Sequence, residues 1–189
     1  MIITSAKFIK GVVGSDHILE DGTPQIAFIG RSNAGKSSLL NSLTHSPKLA
    51  IASDTPGRTR EINVFQINES HYFIDLPGYG YAKASGRTLD KLGAMISWYL
   101  FDSDNDPMVV LLIDALVGPT IDDLGMLREL EKAGRNIVVV VNKVDKIKKS
   151  QYRNQLQKLG TQIPGHTLFP YSSKTKVGMN ELADRLLGK

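Results

Sequence analysis

A glycine- and serine-rich stretch, GRSNAGKSSLLN, carries the residues with the clearest chemistry. It follows the apolar run QIAFI, and Gly30, Gly35, Lys36 and Ser37 fit the pattern G-x-x-x-x-G-K-[ST]. In this pattern the backbone N–H groups close around phosphates, the lysine reaches the β and γ phosphates, and the hydroxyl is offered to Mg²⁺. The stretch therefore predicts a phosphate loop. Its expected contact residues are Gly30, Arg31, Ser32, Asn33, Ala34, Gly35, Lys36, Ser37 and Ser38.

A second motif, Asp75, Leu76, Pro77 and Gly78 (DLPG), follows the apolar run HYFI. An aspartate at the end of a strand beside a phosphate loop can hold a water bound to Mg²⁺. The N–H of Gly78 can bond the γ-phosphate and so sense its loss on hydrolysis. We expect all four residues to line the same site.

A third motif, Asn142, Lys143, Val144 and Asp145 (NKVD), ends the run NIVVVV and predicts the base. A carboxylate at Asp145 can accept hydrogen bonds from N1–H and the 2-amino group of guanine, whereas adenine has neither donor. Bonds to a charged group are each worth about 1.5 to 3 kcal/mol, which favours guanine by several powers of ten. The nucleotide is therefore predicted to be GTP or GDP. A further base loop is predicted at Ser172, Ser173 and Lys174, which taken alone would fit an ordinary polar turn.

Two long stretches without strong periodicity, residues 45–60 and 78–87, are candidate switches, because irregular loops of this length are more often functional than idle. Simple surface connection is the alternative. We expect Thr59 to complete the Mg²⁺ shell, with Thr55 as the rival, because Thr59 lies closer to the strand INVFQIN. The predicted nucleotide contacts of this segment are Gly57, Arg58, Thr59, Arg60 and Glu61.

The order of elements predicts an α/β fold. Six β-branched runs alternate with helical stretches: QIAFIG, INVFQIN, HYFIDLP, MVVLLIDA, NIVVVVNK and TLFPYSS. This indicates three layers, with a six-stranded, mostly parallel sheet covered by helices on both faces. The polar connection at residues 68–70 predicts one antiparallel strand in a hairpin. We expect one domain over residues 1–189, with residues 1–24 as an N-terminal extension.

The composition of the 189-residue chain includes no cysteine, which excludes disulfides and thiolate metal sites. No signal peptide or run of about 20 apolar residues is present, so a cytoplasmic monomer is the expectation. Residues 141–189 hold 10 Lys or Arg against 3 Asp or Glu, a net charge of +7, whereas residues 1–140 carry −3. The basic segment fits either a solvated face or a patch that contacts RNA phosphates.

With these motifs in place, the chain resembles translation-factor-related GTPases, and more narrowly the EngB (YsxC or YihA) family of bacterial ribosome-assembly GTPases. The resemblance is carried by GRSNAGKSSLLN, TPGRTREINVF, DLPGYGYAK, the NKVD block and YSSKTKVGMNEL, from Ile26 onward. The motifs DLPGYGYA and PGRTR point to the narrow family. Two positions depart from it: Asn142, where the family usually has threonine, and Leu116, where it often has arginine.

The resemblance implies a P-loop GTPase fold, GTP hydrolysis with Mg²⁺, and assembly of the large ribosomal subunit through its precursors and rRNA. It also implies a need for the protein in cell division and septation. The alternative is a low-turnover GTP/GDP sensor that binds a protein or RNA partner. The GTPase part of a tRNA-modifying or iron-uptake protein is disfavoured, because neither an appended catalytic domain nor a membrane segment accompanies the motifs.

The expected catalytic residues are Lys36, Thr59 and Asn33. Many small GTPases place a water-orienting glutamine after D-x-x-G, but here the residue is Tyr79, so intrinsic hydrolysis should be slow. Loop packing is the favoured role for Tyr79 and Tyr81 over catalysis. The resemblance to potassium-dependent relatives implies that Asn33 coordinates K⁺, which would supply charge in place of an arginine finger. The alternative is that the Asn33 side chain caps the loop backbone.

Overall fold

The centre of the molecule is a sheet of seven strands, seen in a computed structural model that describes residues 3–50, 61–80 and 86–188. The strands lie in the order β1-β3-β4-β2-β5-β6-β7. In chain order they are β1 (Ala6–Val12), β2 (Gln25–Gly30), β3 (Ile62–Ile67), β4 (His71–Asp75), β5 (Met108–Asp114), β6 (Ile137–Asn142) and β7 (Leu168–Pro170).

The prediction of six strands was wrong by one, because β1 lies within residues 1–24 and pairs with β3. Its sequence, AKFIKGV, mixes lysine and glycine with apolar residues, as suits an edge strand with one free side. Only β3 runs against its neighbours, so the single antiparallel strand is confirmed. The hairpin from β3 to β4 turns through Asn68 and Glu69, whose φ angles of 49° and 56° fit a tight hairpin turn.

Helices cover both faces of the sheet. Within the described residues the helices are α1 (Lys36–Leu43), α2 (Gly86–Ser97), α3 (Ile121–Lys132), α4 (Tyr152–Gln162) and α5 (Met179–Leu187). Ile26 and Phe28 of β2 pack in one cluster with residues of α1 and α5, whereas Ala27 and Ile29 pack in another with residues of α2 and α3. The predicted three-layer arrangement is therefore confirmed. A π-helical turn, Trp98–Asp102, extends α2.

The parallel strands bring their carboxyl ends to one edge of the sheet. Strand β2 ends at Gly30, β4 at Asp75, β5 at Asp114 and β6 at Asn142, and Asp114 pairs in register with Asn142. Ligands of open α/β sheets bind beyond this edge, so the three predicted motifs converge there. No helix in the described ranges combines the length and apolar character needed to span a membrane.

Candidate nucleotide-binding site

The phosphate loop leaves β2 at a position that only glycine can occupy, since a Cβ on Gly30 would lie 2.8 Å from the carbonyl oxygen of Leu112. The loop then turns through Asn33 and Gly35, with φ angles of 69° and 96°. Gly35 precedes α1 and offers no side-chain cap, so the first N–H groups of that helix remain open to a ligand. These amides, with the positive end of the helix dipole, form an anion site.

Lys36 and Asp75 join the first two motifs in an ion pair, and their side chains are only 10% and 5% exposed. The neighbouring hydroxyl of Ser37 makes no hydrogen bond with another described residue, which leaves it available to a cation. Oxygen donors of this kind suit Mg²⁺, which takes few protein ligands and relies on phosphates and water. Within the described residues, no group of three or more His, Cys, Asp or Glu side chains is placed to hold a metal ion.

Tyr79, which follows the DLPG segment, is joined to the phosphate loop by two backbone hydrogen bonds. Its N–H donates to the Gly30 carbonyl at 3.3 Å, and its own carbonyl accepts from the Ser32 N–H at 2.9 Å. The phenol donates to Asp123 Oδ1 at 2.7 Å. Burial, together with the Asp123 charge, raises the pKa of Tyr79 far above its usual value. The side chain also packs against the core cluster that contains residues of α2 and α3. These contacts hold the loop against the body of the protein.

Two residues of the NKVD motif donate hydrogen bonds to backbone carbonyls of the phosphate loop. The amide of Asn142, which is buried, donates to the carbonyl of Ala34 at 2.9 Å. Lys143 donates to the carbonyl of Asn33 at 2.6 Å and to Asp114 Oδ2 at 2.7 Å. Asp114 is not among the residues predicted from the sequence, although an acid at the end of the apolar run MVVLLI was a usable signal.

The two base loops meet at Asp145 and Ser172. Ser172 Oγ donates to Asp145 Oδ1 at 2.6 Å and accepts from the Thr175 N–H at 3.1 Å. The Asp145 side chain is otherwise exposed, so its second oxygen is free to face a base. Ser173 is half-buried beside it and Lys174 is exposed. The predicted guanine-binding residues therefore lie together.

Several predicted site residues lie outside the described residues: Thr55, Gly57, Arg58, Thr59, Arg60 and Tyr81. Glu61 is described and exposed, directly before β3. Asn33 is exposed, and its side-chain amide makes no hydrogen bond with another described residue. Both roles considered for Asn33, a K⁺ ligand and a cap of the loop backbone, stay predictions.

Comparison with known proteins gives the family. Residues 25–143 match the model of a family described as 50S ribosome-binding GTPases. The probable GTP-binding protein EngB of Clostridium perfringens (strain 13 / Type A) is 43% identical over 190 residues, which cover 98% of this chain and 96% of that protein. The chain belongs to the EngB family. It is accordingly a GTPase, and the resemblance found in the sequence is confirmed.

Other relatives agree with this assignment. The probable EngB of Lactobacillus helveticus (strain DPC 4571) is 39% identical, with coverage of 97% of this chain and 96% of that protein. The crystal structure of a probable EngB aligns with a TM-score of 0.68 and 26% identity over 85% of this chain and 95% of that one. Era of Aquifex aeolicus bound to GDP·AlF₄⁻ aligns with a TM-score of 0.71 and 26% identity, over 87% of this chain and 57% of that one.

Proposed function

We propose that this EngB GTPase is an assembly switch for the large ribosomal subunit: its GTP form binds a precursor particle in the cytoplasm as a monomer, and hydrolysis releases it. The main support is the match of residues 25–143 to a family described as 50S ribosome-binding. The roles in cell division and septation would follow from a shortage of mature ribosomes. The two candidate switches would change conformation between the GTP and GDP forms, and this change would control particle binding.

In this proposal the nucleotide is bound by residues 30–38 at the phosphates and by Asp145 and Ser172–Lys174 at the base. Ser37 and Thr59 would ligate Mg²⁺, with Asp75 acting through a water, and the ion would neutralise charge on the β and γ phosphates. Lys36 would stabilise charge that develops on the transferred phosphoryl group. The ion pair between Lys36 and Asp75 supports this, because it places a buried cation and a buried carboxylate beside the loop.

Slow intrinsic hydrolysis is part of the proposal. The Tyr79 hydroxyl is committed to Asp123, so it cannot orient an attacking water. The K⁺ site at Asn33 remains a prediction that follows from the resemblance, and the exposed Asn33 amide is compatible with it. Hydrolysis should be faster in K⁺ than in Na⁺, and replacement of Asn33 by alanine should remove the difference. Equal rates in both salts, with and without ribosomal particles, would contradict a K⁺ site.

The partner surface is proposed to be the basic surface, defined here as Lys146, Lys148, Lys149, Arg153 and Lys158. All five side chains are exposed, and none forms an ion pair with another described residue. The surface begins directly after Asp145, so bound RNA would lie beside the guanine loops. In support, Era aligns at a TM-score of 0.70 and 25% identity in a crystal structure with MgGDPNP and nucleotides 1506–1542 of 16S ribosomal RNA, covering 88% of this chain and 57% of that one.

Cosedimentation with precursor particles of the large subunit, in GTP, GDP or no nucleotide, tests the switch. We expect binding in GTP and loss of binding in GDP. The variant Lys146→Glu/Lys148→Glu/Lys149→Glu should lose particle binding but keep its GDP affinity. The matched control, Lys7→Glu/Lys91→Glu/Arg128→Glu, makes the same charge change at exposed basic residues outside the candidate switches and should still bind.

Single-turnover hydrolysis distinguishes the assembly switch from the alternative, a low-turnover sensor. An assembly switch is expected to hydrolyse GTP faster when particles are added. A sensor would bind the particles without acceleration.

A further inference from the structure

The ammonium group of Lys143 is held at two points. It donates to the carbonyl of Asn33 at 2.6 Å and to Asp114 Oδ2 at 2.7 Å, and its side chain is 25% exposed. Lys143 itself has a φ of 65°, so the backbone turns there as β6 gives way to the base loop. The lysine thus spans three separate segments: the end of β5, the phosphate loop and the base loop.

Asp114 is itself held firmly. Its Oδ1 accepts hydrogen bonds from the N–H groups of Leu116 at 2.9 Å and Val117 at 3.3 Å, and its side chain is 18% exposed. Burial alone would raise the pKa of the Asp114 carboxyl, but the bonds from Lys143, Leu116 and Val117 outweigh burial and lower it. The carboxylate is therefore charged at neutral pH and offers a fixed acceptor to Lys143.

The carbonyl of Asn33 lies in the turn that shapes the phosphate loop, where φ is 69°. A free lysine side chain has several rotatable bonds, and holding it in one position costs up to about 2 kcal/mol of conformational entropy. Asp114 confines Lys143 before any ligand arrives, so the lysine can hold the Asn33 carbonyl at a constant position. Asn142 holds the next carbonyl, that of Ala34, in the same way.

We infer that Asp114 is a positioning residue for guanine nucleotide binding, which acts through Lys143 on the phosphate loop without touching the nucleotide. The variant Asp114→Asn tests this. Asparagine keeps an oxygen for the Leu116 and Val117 amides but presents an N–H donor to the lysine ammonium. We expect GDP and GTP affinities to fall by about tenfold, and by no more than about thirtyfold, because the conformational entropy that Asp114 removes from Lys143 beforehand must then be lost on binding. Dissociation should be faster.

The matched control is Asp104→Asn, an exposed aspartate without a partner among the described residues, which lies between α2 and β5 at the opposite edge of the sheet. Its nucleotide affinity should stay at the wild-type value. At saturating GTP, the Asp114→Asn enzyme should keep its kcat while its KM rises, since the change affects binding. A general loss of structure would lower kcat as well, so both variants are assayed well below the melting temperatures that they show without nucleotide.

A double-mutant cycle tests the route through Lys143. If Asp114 acts through the lysine, Asp114→Asn combined with Lys143→Ala should weaken GDP binding no more than Lys143→Ala alone. Additive losses, or an unchanged dissociation rate in Asp114→Asn, would overturn the inference. If Asp114→Asn folds poorly, the variant Asp114→Glu keeps the charge, and it should bind GDP more tightly than Asp114→Ala.

Discussion

Tyr79 occupies the position at which many small GTPases carry a catalytic glutamine, yet its side chain turns toward the protein. The phenol lies 2.7 Å from Asp123 Oδ1, and Asp123 also accepts from the N–H and hydroxyl of Thr120 at the start of α3. Asp122 and Asp123 lie in the first turn of α3, where acidic residues have the general role of complementing the helix dipole. The structure gives Asp123 a more specific one, as the point where α3 and the DLPG segment meet.

The variant Tyr79→Phe should lower the free energy of unfolding by about 1.5 kcal/mol, because a hydrogen bond to a charged group is lost. Single-turnover GTP hydrolysis should not change, since the hydroxyl is hydrogen-bonded to Asp123. Denaturant unfolding measures the free energy of unfolding, and a quench assay measures the rate of single-turnover hydrolysis. In Tyr152→Phe, whose hydroxyl has no hydrogen-bond partner among the described residues, both quantities should stay constant. A tenfold loss of hydrolysis without loss of stability would make Tyr79 catalytic.

Ser172 offers a second test at the scale of one side chain. Its hydroxyl holds Asp145 Oδ1 at 2.6 Å, so Ser172→Ala should let the carboxylate rotate and weaken GDP binding by about tenfold. Stopped-flow dissociation of a fluorescent GDP measures this. The control Ser150→Ala removes an exposed hydroxyl from a neighbouring loop and should have no effect. A wild-type dissociation rate in Ser172→Ala would show that Asp145 needs no such support.

The spacing of motifs in the sequence predicts a role in the site for those residues whose role depends on their neighbours along the chain. The glycines of its own loop predict the role of Lys36, and the NKVD block predicts that of Asp145; both roles stay predictions. Asp114 was missed because its role depends on the register of β5 against β6, which places it beside Lys143. The contact between Tyr79 and Asp123 joins residues 44 positions apart and carries no local signature.

At the scale of elements, the central parallel strands were predictable because each is a continuous apolar run. Strand β1 was not, since an edge strand buries only part of its surface and its hydrophobic pattern is weak. One residue of β1, Val12, is nevertheless 3% exposed, whereas the adjacent Val13 is 69% exposed. The pair allows a direct test of how much β1 contributes to the core.

Replacement of Val12 by alanine should lower the free energy of unfolding by about 2 kcal/mol, from lost burial and a residual cavity. The same replacement at Val13 should change it by less than about 0.5 kcal/mol. Urea denaturation of both variants measures the difference. Equal effects would mean that β1 packs in solution less tightly than the structure shows.

At the scale of the whole molecule, positive charge is concentrated at the end of the chain. If the proposed basic surface neutralises RNA phosphates, particle binding should weaken as salt rises. The triple lysine-to-glutamate variant should then reduce the log–log slope of affinity against salt by about 2 or more. The slope of the control Lys7→Glu/Lys91→Glu/Arg128→Glu should match the wild type. An unchanged slope in the first variant would place the contact elsewhere.

Stability against pH should also depend on Asp114. A carboxyl whose pKa is lowered by folding stabilises the protein above its unfolded pKa of 3.8, and this contribution is lost as pH falls through the lower folded value. Asp114→Asn should therefore lower the melting temperature clearly at pH 7 and less at pH 2.5. Calorimetry at both pH values checks this. A loss that is the same at both would assign the effect to packing instead of charge.

The pair of backbone bonds between the phosphate loop and Tyr79 makes two amide protons natural reporters. The Tyr79 N–H and the Ser32 N–H exchange with solvent only when the two segments separate. The rate of deuterium uptake at these two amides therefore measures how often the segments separate. One segment is predicted to contact the phosphates and the other follows Gly78, the predicted γ-phosphate sensor. The exchange rates of these two protons would therefore report how often the site opens to let a nucleotide leave.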